Sequence, residues 1–404
     1  MPCLLKSPTP VSPGIITFTN NEALNGVCAA PEVREHLNTT MTAGEWLYGV
    51  HVQGDLTWMR SWPLQDWHGF AMWPDVEAPF LDGLAAERRI GMNCVNLLPE
   101  PPVALGTKSW DICVISRPAP IKRTAEALKI VAELMKLRPE TTATFIVPDP
   151  RDQALGEETF RKQALDPDFY ELPRRLFSAR QLAHISFVCA STQSFGNFPL
   201  TTPLVSEIIA RSRFMMLNSH QEGTPRALAE ALLCGTACAV SEHLRSGIND
   251  LLSSDNAVRM SDEPATAARQ LHEALEDYGR FRVDTEAATQ SFSAERNGPR
   301  LQAALSGLLE SRGAAAEGEW HLDDLHIRLA CHGQKQNPQL DTAAPPAYFK
   351  WLEAAKRDPY DEDAMIAAIG YQDPYRVQGT AVGRAARRVR GQAMAAAARV
   401  IRRR

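Results

Sequence analysis

Between Asp111 and about residue 278, short apolar runs alternate with segments whose apolar positions recur at helical spacing. The runs predict strands and the segments between them predict helices. The predicted strands are 111–116, 142–147, 185–189, 213–217 and 236–240, and the predicted helices are 124–137, 201–212, 225–234 and 264–277. Because the connections are short, this order predicts a parallel sheet with helices on both faces, a Rossmann-like doubly wound domain.

The first 105 residues have few helical patterns, frequent prolines and a cluster of tryptophans at 46, 58, 62, 67 and 73. A strand is expected at 47–52 and a helix at 78–90, which together predict a smaller α/β domain. The tryptophans favour core packing over stacking on a sugar face. We therefore divide the chain into domains at 1–105 and 106–312, connectors with short helices at 313–375, and an arginine-rich tail at 376–404.

Composition and charge narrow the class of protein. The chain has 404 residues, 44% of them apolar, without a run of about 18 apolar residues or a signal-peptide pattern, so we expect a cytoplasmic protein. Its eight cysteines form no CxxC pair, and neither a disulfide framework nor a metal site is expected. The segment 381–404 holds eight arginines and no acid, so the rest of the chain carries about −13. An acidic body argues against nucleic acid as a partner.

Two glutamates, Glu222 and Glu230, stand eight positions apart around a predicted helix start. Thr224 is expected to cap that helix, Pro225 to take its first position and Gly235 to close it. Glu222 then lies in the loop after strand 213–217, at the edge of the sheet where ligands of such folds bind. Because a carboxylate only accepts hydrogen bonds, a vicinal diol of ribose or of a sugar ring suits both residues.

Arg117 and Lys122 follow the strand at 111–116 and should reach the same edge of the sheet. Two cations beside free helix N–H groups suit a diphosphate without a bound metal. Diol acceptors next to a diphosphate site predict binding of a nucleotide sugar.

These residues resemble the signature of retaining glycosyltransferases of the family 4 type, also called glycosyl transferases group 1. The resemblance rests on Glu222-x7-Glu230, Ser219 before it, Gly235 after it, and Arg117 with Lys122 in order, and it spans about 111–280. It implies a GT-B fold of two Rossmann-like domains, the N-terminal one shortened and facing the acceptor. The family's usual glycines are replaced by Ser116 and Pro225, and the glycine-rich loop near the N-terminus is missing, with only a remnant at 20–26.

The resemblance implies a metal-independent hexosyltransferase without a cofactor. Glu222 would face hydroxyls of the transferred sugar, Glu230 would hold the ribose diol, and Arg117 and Lys122 would stabilise the leaving diphosphate during front-face attack. Further contacts with the donor substrate would come from Ser219, His220, Gly223, Thr224 and Gly247. His51 resembles a histidine that relatives place near the donor sugar, although a structural histidine fits it equally well.

Other interpretations remain open. A GT-B epimerase or phosphorylase would act without a separate acceptor, and a non-catalytic sugar-nucleotide binder or scaffold would fit the shortened N-terminal domain. The basic tail is expected either to hold the protein at an anionic inner membrane surface that carries a lipid-linked acceptor, or to be solvated. A glycan or a protein hydroxyl is an equally open acceptor.

Overall fold

The computed structural model describes residues 3–19, 31–51, 67–74, 77, 81–101, 107–148, 167–190, 200 and 202–322. Several predictions lie outside these residues: the glycine-poor loop at 20–26, Trp58 and Trp62, most of the predicted connector segment 313–375, and the whole basic tail. Among the helices that are described, none is long and apolar enough to cross a membrane.

The first sheet has five short strands in the order β1-β2-β3-β4-β5. Its elements are β1 (Cys3–Lys6), β2 (Gly14–Thr19), α1 (Pro31–Thr42), β3 (Trp46–His51), β4 (Phe70–Met72) and β5 (Arg89–Ile90). β1 and β2 pair antiparallel, and every later pair is parallel. The strand expected at 47–52 is confirmed as β3, and the described part of this segment combines a small sheet with one α-helix.

The helix expected at 78–90 is wrong for the described part of that range. Residues Ala86–Arg88 form a single 3-10 turn, and the chain then enters β5. Ile90 pairs with Met72 at the edge of the sheet, while Arg89 donates from Nε to the carbonyl of Leu84 at 2.8 Å. Good local helix formers are thus overridden by pairing with the neighbouring strand.

One tryptophan of the cluster is clearly core. Trp67 is 2% exposed, and a Cβ on Gly69 would meet its ring at 2.5 Å. Trp46 is partly buried and stacks on Tyr48, with ring centroids 6.4 Å apart. Both side chains serve packing, as the sequence favoured.

The second sheet has six parallel strands in the order β11-β10-β9-β6-β7-β8. Its strands are β6 (Trp110–Ile115), β7 (Ala143–Pro148), β8 (Ile185–Ala190), β9 (Ser212–Leu217), β10 (Ala237–Ser241) and β11 (Ala257–Met260). Its helices are α2 (Thr124–Leu137), α3 (Leu172–Leu176), α4 (Ala179–Leu182), α5 (Thr202–Ala210), α6 (Arg226–Leu233), α7 (Pro264–Glu276), α8 (Thr285–Phe292) and α9 (Ala294–Glu310). The predicted two-domain architecture of Rossmann-like sheets is confirmed.

Helices cover both faces of this sheet, and the strands alternate accordingly. Phe214 of β9 packs into the core under α2 and α7, whereas the next residue, Met215, packs into the core under α6 and α8. This period of two is what strands buried on both faces require.

After α9 the chain returns to the first sheet. The amide of His321 donates to the carbonyl of Leu5 at 2.9 Å, and the amide of Ser7 donates to the carbonyl of Glu319 at 2.9 Å. Lys6, which is fully buried, donates from Nζ to the carbonyl of Pro13 at 2.9 Å, and burial lowers its pKa. Residues 319–321 therefore complete the edge of the first domain.

Candidate functional site

The carboxyl ends of the parallel strands in the second sheet meet at one edge. β6 and β9 are direct neighbours there, with β10 and β11 beyond β9. The connections that leave this edge carry nearly all of the predicted site residues: 116–123 after β6, 218–225 after β9, 242–248 after β10 and 261–263 after β11.

Lys122 and Glu222 join the connections after β6 and β9. The ammonium nitrogen of Lys122 lies 2.6 Å and 2.7 Å from the two carboxylate oxygens of Glu222. Lys122 ends a 3-10 turn over Pro120–Lys122, and this turn directs its side chain across the sheet edge. The side chains are 25% and 11% exposed, so much of the pair is shielded from water. The two motifs predicted independently from the sequence meet here in one ion pair.

The next residue, Arg123, reaches the same loop. Its guanidinium contacts Asp262 through two nitrogens, each 3.2 Å from a carboxylate oxygen, and it also contacts the Nε2 atom of His220. Consecutive cations therefore engage residues two apart, Lys122 with Glu222 and Arg123 with His220.

Asp262, which follows β11, is the anionic centre of this second cluster. Nε2 of His220 lies 2.9 Å from its Oδ1 and Nε2 of His243 lies 3.7 Å from its Oδ2. Burial acts to raise the pKa of Asp262, but the hydrogen bond from His220 and the charges of Arg123, His220 and His243 outweigh burial and lower it. The carboxylate is thus held ionised.

Glu230 lies on the second turn of α6, as predicted. Its Oε1 accepts from Nε of Arg226 at 2.7 Å, an i,i+4 pair in which the glutamate side chain is 12% exposed. The pairing orients the carboxylate at the amino-terminal end of the helix while leaving its second oxygen to accept other donors.

The cap predicted for α6 is wrong by one residue. Pro225, with φ −69° and ψ 113°, is the N-cap, because its carbonyl accepts from the amides of Leu228 and Ala229. The hydroxyl of Thr224 instead accepts from Nδ2 of Asn93 at 3.4 Å. The C-terminal prediction is confirmed, since Gly235 has φ +64°.

Gly223 and Gly247 are tied to each other by their backbones. The amide of Gly247 donates to the carbonyl of Gly223 at 2.7 Å, and Oγ of Ser246 donates to the same oxygen at 2.7 Å. A Cβ on Gly247 would lie 3.1 Å from Oγ1 of Thr224. The glycine therefore permits close approach of two loops, while its own N–H is already engaged.

Two buried polar groups at the end of β9 lack partners among the described residues. Oδ1 of Asn218 and Oγ of Ser219 are both without a hydrogen bond there, although the residues are only 7% and 0% exposed. Buried polar atoms are rarely left unsatisfied in proteins. Ser219, predicted as a donor contact, keeps this capacity.

Arg117 and His51 occupy different surroundings. Arg117 is exposed at the sheet edge, and its carbonyl, which accepts from the hydroxyl of Thr124 at 2.7 Å, anchors the turn. His51 ends β3 in the first sheet, is fully buried, and lies with Nδ1 3.1 Å from Oγ1 of Thr17. Its surroundings match those of a structural histidine.

Three residues that contact the loops of this edge were not found from the sequence: Asn93, Arg123 and Asp262. Arg123 carries a signal, since it extends the basic pair to a third cation. Asp262 follows a strand at the same sheet edge, but its partner lies 139 positions earlier and no local spacing reveals the contact.

No protein-family model matches the chain, and none of the curated proteins does. Among solved structures it is similar to HepE (Alr3699) of Anabaena in complex with UDP and glucose, at 17% identity and a TM-score of 0.42, over 72% of this chain and 71% of that one. It is also similar to the pneumococcal O-GlcNAc transferase GtfA in complex with UDP and GlcNAc, at 13% identity and a TM-score of 0.46, over 68% and 56%. A third similar structure is apo OtsA, at 13% identity and a TM-score of 0.45, over 72% of this chain and 72% of that one. These likenesses concern the fold alone.

Proposed function

We propose that this protein is a retaining glycosyltransferase that moves a hexosyl group from a nucleotide diphosphate sugar to a hydroxyl of a glycan, lipid or protein. The observation that carries the proposal is the ion pair between Lys122 and Glu222 across the carboxyl edge of β6 and β9. The pair supports the proposal because an ammonium suits a phosphate and a carboxylate suits a diol, and both lie in the part of a Rossmann-like sheet where ligands bind.

In this proposal the diphosphate binds between the turn after β6 and the loop after β9. Lys122 lies at this position and Arg117 is exposed at its rim. Charge grows on the diphosphate as the bond to the sugar breaks, and cations already in place stabilise that charge without reorganisation. These residues supply the positive charge, so no metal ion is assigned to the site.

Transfer with retention then needs no protein nucleophile. The bond from the anomeric carbon to the diphosphate oxygen breaks, the acceptor oxygen bonds to the same face of that carbon, and the leaving phosphate oxygen takes the acceptor's proton. Glu222 accepts hydrogen bonds from the sugar hydroxyls and orients the ring, while Lys122 remains between the carboxylate and the phosphate.

Glu230 is proposed to bind the ribose diol. Its pairing with Arg226 fixes one oxygen, so the other is the acceptor for the nucleoside. Ser219, His220, Gly223, Thr224 and Gly247 would complete the donor site, the two glycines by allowing the loops to meet closely. His51, at the end of β3, is the candidate that the first sheet contributes.

A thermal-shift screen with UDP-, GDP-, ADP- and TDP-sugars tests donor binding, because a ligand bound only by the folded state raises the melting temperature. We expect one nucleotide class to raise it, and Lys122→Ala to abolish that rise while Lys136→Ala, on the exposed side of α2, keeps it. A shift with none of the donors would favour a scaffold.

Chemistry is tested separately with the donor that binds. NMR of the product should show the donor's anomeric configuration, and EDTA should leave turnover unchanged. An inverted product would contradict retention, and conversion of the donor with neither water nor acceptor consumed would indicate an epimerase.

The basic segment 381–404 is proposed to hold the full chain on an anionic membrane inside the cell. Sedimentation with vesicles of phosphatidylglycerol and phosphatidylcholine is expected to carry down the full chain, and not a chain ending at residue 380. Equal recovery with pure phosphatidylcholine would contradict this part of the proposal, because attraction of the basic tail requires anionic lipid.

A further inference from the structure

The backbone of Arg123 adopts a conformation that side chains disfavour. Its φ of 51° and ψ of 33° are left-handed, and among the described residues it is the one non-glycine residue with positive φ. A glycine would take this conformation freely, whereas an L-residue with a Cβ is strained. Arg123 also gives α2 no side-chain cap. Arg123 ends the 3-10 turn over Pro120–Lys122 in the left-handed conformation that glycine usually takes at such an end. The turn therefore explains the backbone, and what needs an explanation is the arginine side chain in place of glycine.

The guanidinium of Arg123 links two residues at the sheet edge. It makes a two-pronged contact with Asp262 and a further contact with His220, and its side chain is 23% exposed. His220 belongs to the loop that carries Glu222. The backbone of this loop pairs with Arg245, whose amide donates to the carbonyl of His220 at 2.8 Å and whose carbonyl accepts from the amide of Glu222 at 3.0 Å. Arg123 and His220 also share the carboxylate of Asp262, so the guanidinium is tied to this loop both directly and through Asp262.

We propose that Arg123, anchored by Asp262, is a positioning residue that holds the His220–Glu222 loop in the geometry needed by the nucleotide sugar. The inference rests on the proposed function and extends it to two residues outside the predicted site. The left-handed backbone at Arg123 places its guanidinium at His220 while the preceding residue, Lys122, stays on Glu222.

Two variants separate the strain from the guanidinium. Arg123→Gly removes both, whereas Arg123→Ala removes the guanidinium and keeps a Cβ at positive φ. Arg123→Gly should therefore melt at a higher temperature than Arg123→Ala. Both should bind the nucleotide sugar about tenfold more weakly than the wild type, the scale of effect for residues that act without touching the ligand.

Titration calorimetry with the UDP-, GDP-, ADP- and TDP-sugars measures this binding. Asp111→Asn controls for lost stability, since Asp111 lies at the opposite end of β6 and its Oδ2 accepts from the amide of Thr142 at 2.9 Å. The control should melt at a lower temperature and keep its affinity for the donor.

Three results would overturn the inference. Affinity unchanged in both Arg123 variants would do so while leaving the proposed function standing. If Asp111→Asn loses affinity for the donor in the same proportion to its drop in melting temperature as the Arg123 variants do, Arg123 has a purely structural role. Binding of none of the four donor classes by the wild type would overturn the proposed function together with the inference.

Discussion

Lys122 binds Glu222 through both carboxylate oxygens, at 2.6 Å and 2.7 Å, although the two residues are one hundred positions apart in the chain. The pair ties the turn after β6 to the loop after β9. Each partner can make further hydrogen bonds besides those within the pair, since an ammonium has three donors and a carboxylate about four acceptor sites. An anion and a diol can therefore enter beside the pair and share it.

Replacing Glu222 by Gln should separate affinity for the nucleotide from affinity for the sugar. Lys122 then loses its internal anionic partner, so a free nucleoside diphosphate should bind as tightly as to the wild type or more tightly. The extra affinity conferred by the attached sugar should shrink by about tenfold, because a charge-assisted hydrogen bond to its hydroxyls is weakened. Calorimetry with the nucleoside diphosphate and its sugar checks both. A parallel loss for the two ligands would contradict the assigned role.

Replacing Glu230 by Ala should abolish discrimination between ribose and deoxyribose. The wild type is expected to prefer a ribonucleoside diphosphate over its 2′-deoxy counterpart by about tenfold, the worth of one hydrogen bond to a charged group. The variant should bind both equally and as weakly as the wild type binds the deoxy compound. Retained preference in the variant would place the ribose elsewhere.

Asp262 should make stability depend on pH in the acid range. Its pKa is lower in the folded chain than its ordinary value of about 3.9, so its contribution is present above that value and is lost as the pH falls through the lowered one. Urea unfolding should show the wild type more stable than Asp262→Asn at pH 7, with the difference vanishing in acid. A difference that stays constant with pH would exclude this ion cluster as its source.

Two glycine substitutions should change stability in opposite directions. Gly235 ends α6 at φ +64°, and the amide of Thr236 closes the end by donating to Ala231 at 2.8 Å, so Gly235→Ala should lower the free energy of unfolding by about 1 kcal/mol. Gly307 lies exposed inside α9 with open space at its Cβ, so Gly307→Ala should raise it by up to about 1 kcal/mol. Urea unfolding of both variants measures this, and effects of the same sign would contradict the helix assignments.

Local patterns predicted five of the six described strands of the second sheet, and β11 (Ala257–Met260) was missed. α2 begins and ends where the apolar spacing of 124–137 predicts, and β9 starts one residue before its predicted run at 213. Strands buried on both faces leave continuous apolar runs, and the helices between them bury one stripe, so periodicity carries the information.

Long-range contacts account for what the sequence did not reveal. The range 78–90 has helix-forming residues, yet its end is recruited as strand β5 by pairing with β4. The Arg123–Asp262 pair likewise depends on a sheet order that brings the ends of β6 and β11 to one edge. Neither pairing leaves a spacing that can be read locally.

Cleavage of the nucleotide sugar by the wild type and two variants tests the central claim most directly. With the donor found by thermal shift, the wild type should release nucleoside diphosphate, Lys122→Ala should be at least about tenfold slower because charge on the leaving diphosphate is no longer stabilised, and Glu222→Gln should also be slower. Lys136→Ala should cleave at the wild-type rate. Wild-type rates in both site variants would contradict a nucleotide-sugar site built around Lys122 and Glu222.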